Sequence, residues 1–152
     1  MKKRTQGLGL LEVLLTLVVS AVLIIVGINY YQNVSRAQKV NKTMQQLQAL
    51  TTTMTDLASS AANSAIMSSG DITSVLSNKL PASTFQSPWT QQKINVFGVV
   101  TNSSCASFKV KICGIESSAQ STLTTQFHSV YANTNNSITF ASGCGTFQIC
   151  IQ

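Results

Sequence analysis

From Leu8 to Tyr30 the chain reads LGLLEVLLTLVVSAVLIIVGINY, apolar with few interruptions. About 20 such residues in a helix cross the hydrocarbon of a bilayer. A helix that is apolar all round belongs in lipid or in the core of a helical assembly, not on a wet surface. The cluster Lys2-Lys3-Arg4 stands just before the run, and the next charge after Glu12 is Arg36. Positive residues are retained on the cytoplasmic side, which predicts the N-terminus inside and the C-terminus outside. An ordinary secretory signal has a shorter apolar core followed by a small-residue cleavage site. This run is longer, and no A-x-A pattern follows it.

One residue resists the reading of a plain anchor. Glu12 lies inside the apolar run. A carboxylate there costs roughly 2–3 kcal/mol on insertion scales and needs a partner. If the chain were cut between Gly7 and Leu8, Leu8 would carry a free amine and Glu12 would be the fifth residue of the mature chain. The amine of one subunit could then pair with Glu12 of its neighbour inside a low-dielectric bundle. Pairing makes the charge tolerable, whereas a buried unpaired one disfavours assembly.

The stretch Gly7-Leu8-Gly9-Leu10-Leu11-Glu12-Val13 resembles the class III signal of type IV pilins and pseudopilins: a short basic leader, a glycine before the cut, and a glutamate five residues after it. The strong part of the resemblance covers about residues 1–36. It implies cleavage after Gly7 by a membrane-embedded prepilin peptidase and N-methylation of Leu8. It further implies residence in the inner membrane, and then assembly through Glu12 by a pilus assembly platform into a surface filament with copies of itself or other pilin subunits. A cut after Gly9 would put Glu12 third, off the family spacing. Subclass marks are mixed. Leu8 stands where the commonest subclass has Phe, and a residue other than Phe there is more typical of type IVb, while the short leader is more like type IVa. Asn29 stands where many type IVa pilins have a helix-kinking proline, and Gly27 offers a softer point instead, at about 1 kcal/mol against alanine.

Beyond Tyr30 the pattern becomes amphipathic. Val40, Met44, Leu47, Met54 and Ala61 recur at helical spacing, with Val34, Ala37 and Ala58 assigned to the same seam. Neither Pro nor Gly occurs between Gly27 and Gly70. The pattern predicts one helix from Leu8 to about Ala62, roughly 80 Å at about 1.5 Å per residue. Three segments follow: a leader over 1–7, a transmembrane or filament-core helix over 8–35, and an exported head over 36–152 that includes the second half of the helix. Arg36, Lys39 and Lys42 fall on roughly one face just past the apolar run. They suit either a solvated face near the membrane or a contact with lipid headgroups or a neighbouring subunit's acids.

The head reads as α+β, a helix packed on a mostly antiparallel sheet, which is the lollipop layout that the pilin resemblance implies. Asp71 is assigned as N-cap of a short helix over Ile72 to Leu80. Trp89 anchors a connector to the core. Strands are expected over 94–100, Phe108–Ile112, Ile138–Phe140 and 147–151, with a glycine-rich turn over 141–145 and a helix over Glu116–Val130 built on Leu123 and Phe127.

Cys105, Cys113, Cys144 and Cys150 include no C-x-x-C pair, and His128 is the one histidine. That pattern favours disulfides over zinc, and disulfides imply an oxidising compartment. Cys105 and Cys113 bracket a strand that holds them roughly 25 Å apart, too far to bond. Both bonds therefore cross to the last segment. Antiparallel neighbouring strands give Cys105–Cys150 and Cys113–Cys144. Parallel or separated ones give Cys105–Cys144 and Cys113–Cys150.

Ten Lys and Arg face four Asp and Glu. Without the three at the start, seven face four, a mildly basic body that argues against a nucleic-acid module. Asp56, Asp71 and Glu116 are widely spaced and supply no carboxylate calcium site. His128 has no nucleophile or acid nearby in sequence, and there is no Gly-rich phosphate loop. The expectation is a structural pilus subunit, without cofactor, metal or catalysis. The alternatives are a pseudopilin of a type II secretion machine and a single-span anchored binding protein that never polymerises.

Overall fold

The computed structural model describes residues 8–59, 70–102 and 105–151, with side chains excepted at 8, 99–102 and 105. The fold is α+β, in the order α1 (Leu8–Ser59), α2 (Thr73–Ser77), a 3-10 turn (Ala82–Phe85), β1 (Asn95–Asn102), β2 (Cys105–Cys113), α3 (Ser117–Val130), β3 (Ser137–Ala141) and β4 (Cys144–Ile151). Two compact units divide the chain, one ending at Gln38 and the other Lys39–Gln152.

The first unit is the N-terminal part of α1. Its large apolar side chains are exposed, from Leu10 at 69% to Ile28 at 52%. Nothing within the unit covers them. The helix is long and apolar enough to cross a membrane.

In the second unit α1 becomes one-sided. Val40, Met44, Leu47, Leu50, Met54 and Leu57 are buried at helical spacing. Leu50 and Leu57 join the expected seam, whereas Val34, Ala37 and Ala58 are exposed and do not belong to it. Ala61 lies outside the described residues. The run Thr51-Thr52-Thr53 is compatible with helix because each hydroxyl donates to the carbonyl one turn back, at 2.8–3.0 Å.

The sheet has the order β1-β2-β4-β3, and every neighbouring pair is antiparallel. Alternation assigns its faces. Phe108, Val110 and Ile112 of β2 lie opposite Ile149, Phe147 and Gly145 of β4 and turn inward. The inward side chains join the α1 seam, Ile72 and Leu76 around α2, and Ala119, Leu123 and Phe127 of α3 in one hydrophobic core. The β3–β4 hairpin closes on Ser142 and Gly143, both with positive φ (51° and 72°). A two-residue turn matched to the right-handed twist of its strands needs that conformation.

One element differs from expectation. The helix after Asp71 spans only Thr73–Ser77, and Ile72, not Asp71, occupies the N-cap position. The Asp71 carboxylate accepts the Thr73 N–H at 2.9 Å, two residues on, as in an Asx-turn. Ile72 is at once tied to β1, its N–H donating to the Val96 carbonyl. That bond fixes the start of the segment against the sheet, and after Ser77 the chain leaves the helix in a turn, with the N–H groups of Lys79 and Leu80 both donating to the Leu76 carbonyl.

Candidate functional site

The residues singled out at the N-terminus fall on the first turns of α1. Gly7 lies outside the described residues, and Leu8 is the first residue of the helix. Glu12 is one turn further on and exposed among Leu10, Leu11, Val13 and Leu14, each more than half exposed. Among the described residues no ion pair forms to its carboxylate. A carboxylate ringed by exposed Leu and Val is stable in water alone, but not in lipid or in a helical bundle unless a cation meets it. In lipid or in a bundle the segment would need both a cover for its apolar surface and a positive partner for Glu12.

The cysteines assemble at the other end of the chain. Cys113 and Cys144 are direct cross-strand partners on β2 and β4. They are joined by a disulfide, with Cα atoms 3.9 Å apart. Cys150 is also disulfide-bonded. The antiparallel alternative for the bonding pattern is thus the one that the strand register matches, and the separated alternative is set aside for Cys113 and Cys144. The Cys105 side chain lies outside the described residues, though its backbone opens β2. Cys113 and Cys144 fall on the face opposite Ile112 and Gly145, so their bond lies on the outer surface of the sheet.

Lys39 does not stand on a free solvated face. Its ammonium pairs with Glu116 at 3.5 Å, at the start of α3, and sits 5.5 Å from the centre of the Trp89 ring. Lys42 is exposed, and Arg36 has contacts of its own. Trp89 anchors its loop as expected. The indole is packed against the core, and its N–H donates to the Thr43 hydroxyl. His128 is exposed in the last turn of α3, its ring in a T-shaped contact with Phe127 at 5.8 Å between centres.

Sequence reading missed two buried polar residues of α1. Thr43 is fully buried and Gln46 nearly so. The Gln46 amide donates to the carbonyls of Ser83 and Gln86, at 3.1 and 2.8 Å, and so holds the 3-10 turn against the helix. Periodicity marks where apolar side chains point. It carries no signal for a polar side chain whose partners are two distant carbonyls.

No protein-family model matches the chain, and comparison with curated proteins finds no match.

Proposed function

We propose that this chain is a structural subunit of a type IV pilus, cut after Gly7 and assembled through its N-terminal helix. The observation that carries the reading is the lone carboxylate of Glu12 on an uncovered apolar helix, in a chain that also builds a disulfide-bonded α+β head. A lipid bilayer satisfies the apolar surface but not Glu12. A bundle of identical helices satisfies both, because the free amine of a neighbour's Leu8 supplies the cation that a membrane lacks. The small charge on the rest of the chain lets copies approach with little repulsion. The outward disulfide suits a head held outside the cell, where thiols oxidise.

The test combines processing with assembly. Mass spectrometry of the mature protein should place Leu8 at the N-terminus, carrying a methyl group. Glu12→Ala should abolish fibres seen by electron microscopy while the chain still enters the membrane. An intact Met1 terminus in cells with active peptidase would sink the reading. Wild-type levels of fibres from Glu12→Ala would sink the role given to Glu12. Correct processing without surface fibres would move the chain to the short piston of a type II secretion machine.

A further inference from the structure

An open cleft of about 720 Å³ lies beside the outer edge of β1, walled by α2, the 3-10 turn and the loop that enters the strand. Its volume is in the range of small-molecule sites. Asp71, Thr73, Gln86, Gln91, Lys93 and Asn95 line it. Asp71 and Lys93 bring opposite charges to the same cleft, yet they form no ion pair with each other. The Asp71 carboxyl is held below its ordinary range by the hydroxyl and N–H of Thr73, so it is an acceptor at neutral pH. Gln91 is in the left-handed region, φ 57°, where it adds its amide to the wall.

The backbone in the cleft is already used. The Val96 N–H donates to the Thr73 hydroxyl, the Val96 carbonyl accepts from Ile72, and the Ile94 N–H donates to the Phe85 carbonyl. A peptide strand therefore cannot be added along this part of β1, because strand addition needs free main-chain groups. The Thr73 hydroxyl is used as well, by the Val96 N–H and by Asp71. The groups that remain are the side-chain amides of Gln86, Gln91 and Asn95, the second oxygen of the Asp71 carboxylate and the Lys93 ammonium. Together they offer donors and acceptors in near-equal supply. Hydroxyl groups, which donate and accept at once, match such a set, whereas an anion or a cation alone would leave half of it unused.

We infer that the cleft between α2, the 3-10 turn and β1 binds a saccharide, recognised by Asp71, Gln91, Lys93 and their neighbours through its hydroxyl groups. The inference does not depend on polymerisation and stands for a filament subunit or an anchored protein alike.

The test uses the full chain in a detergent without sugar groups, applied to an array of neutral, amino, sialylated and sulfated oligosaccharides. Two variants report on the cleft and keep the fold. Gln91→Gly removes a lining side chain and suits the positive φ. Lys93→Gln removes an exposed charge that makes no ion pair among the described residues. Lys109→Gln, on the sheet's outer face away from the cleft, is the control. The expected result is retention of at least one saccharide class by the wild type and the control, weakened about tenfold by either cleft variant, as loss of a polar partner predicts. Equal weakening by Lys109→Gln would assign the binding to diffuse charge and overturn the inference. So would retention of no saccharide, or retention that both cleft variants leave intact.

Discussion

The indole N–H of Trp89 donates to the hydroxyl of Thr43 at 3.1 Å, and Thr43 in turn donates to the Lys39 carbonyl one turn back on α1. The pair ties the loop before β1 to the buried face of the long helix. Lys39 completes the group from above the Trp89 ring. Trp89→Phe keeps most of the packing and removes the donor. It should destabilise the head by about 1–2 kcal/mol, the range for a lost partner of a buried polar group. Thr43→Val should cost a similar amount. In chemical denaturation the double variant should lose less than the sum of the two, with a coupling of about 0.5–1.5 kcal/mol, because both single changes break one bond.

The disulfides give a second prediction. Cys113 and Cys144 are bonded, and the same antiparallel register sets Cys150 opposite Ser107, two residues from Cys105 on β2. Non-reducing peptide mapping should recover Cys113–Cys144 and Cys105–Cys150. The first bond closes a separation of 31 residues. Replacing both of its cysteines by serine should cost about 3–4 kcal/mol in the loop-entropy account. A Cys105–Cys113 peptide would contradict the sheet itself, since β2 holds those residues at opposite ends.

Much of this fold was legible because burial imposes a period. Val40, Met44, Leu47 and Met54 announced the face of α1, and the alternation of Phe108, Val110 and Ile112 with Ser107, Lys109 and Lys111 announced β2. The failures have physical causes. Ala37 and Ala58 have the right spacing, but a methyl group is too small to require burial, and they are exposed. Lys39 looked like part of a basic face because its partner Glu116 is far along the chain and only the tertiary fold brings it near. The cleft at β1 left no sequence trace, since Asp71, Gln91 and Lys93 are ordinary loop residues until α2 and the 3-10 turn fold around them. Glu12 was the opposite case. A charge in an apolar run is conspicuous in sequence, and the structure adds that the run is uncovered.

Alkaline pH should loosen the head through Tyr131. Burial pushes its phenol above the ordinary value of 10.0, and the hydrogen bond with Thr51 at 3.1 Å pulls only partly the other way. The folded chain then holds this proton more tightly than the unfolded chain. Its contribution to stability is fully present below pH 10.0 and is lost as pH rises through the folded value. Denaturation curves at pH 8 and above 10 should show a drop in the wild type. Tyr131→Phe should flatten that drop, and should be slightly less stable than the wild type at neutral pH for want of the Thr51 bond. An unchanged alkaline slope in Tyr131→Phe would place the effect elsewhere.

Glycine at position 145 should be sensitive to a single methyl group. It lies on the inner face of β4, opposite Ile112. A Cβ there would stand 2.8 Å from the Ile115 Cδ1 and 3.0 Å from the Phe140 ring. The Phe140 and Phe147 rings meet edge to face at 6.5 Å just beside it. Gly145→Ala should therefore cost about 1–3 kcal/mol, the range for overpacking a filled core. Gly143→Ala meets nothing within 4 Å and should act only through its positive φ. The two substitutions compared by thermal unfolding separate crowding from backbone strain.

The head should fold without the apolar half of α1. The seam Val40, Met44, Leu47, Leu50, Met54 and Leu57 belongs to the same unit and the same hydrophobic core as the sheet. Its polar ties are internal as well. Gln46 holds the 3-10 turn, Thr43 holds Trp89, and Lys39 holds Glu116. Removing residues 1–35 deletes the exposed surface from Leu10 to Tyr31 and breaks none of these contacts. A chain that begins at Arg36 should therefore be soluble without detergent, monomeric in sedimentation, and cooperative in unfolding once its cysteines are oxidised. The full chain should need detergent or lipid, because its exposed apolar helix far exceeds the patch that a soluble monomer tolerates. Should the shortened chain aggregate under oxidising conditions, the seam on α1 must be completed by another subunit, and the division at Lys39 would not mark an independent folding unit.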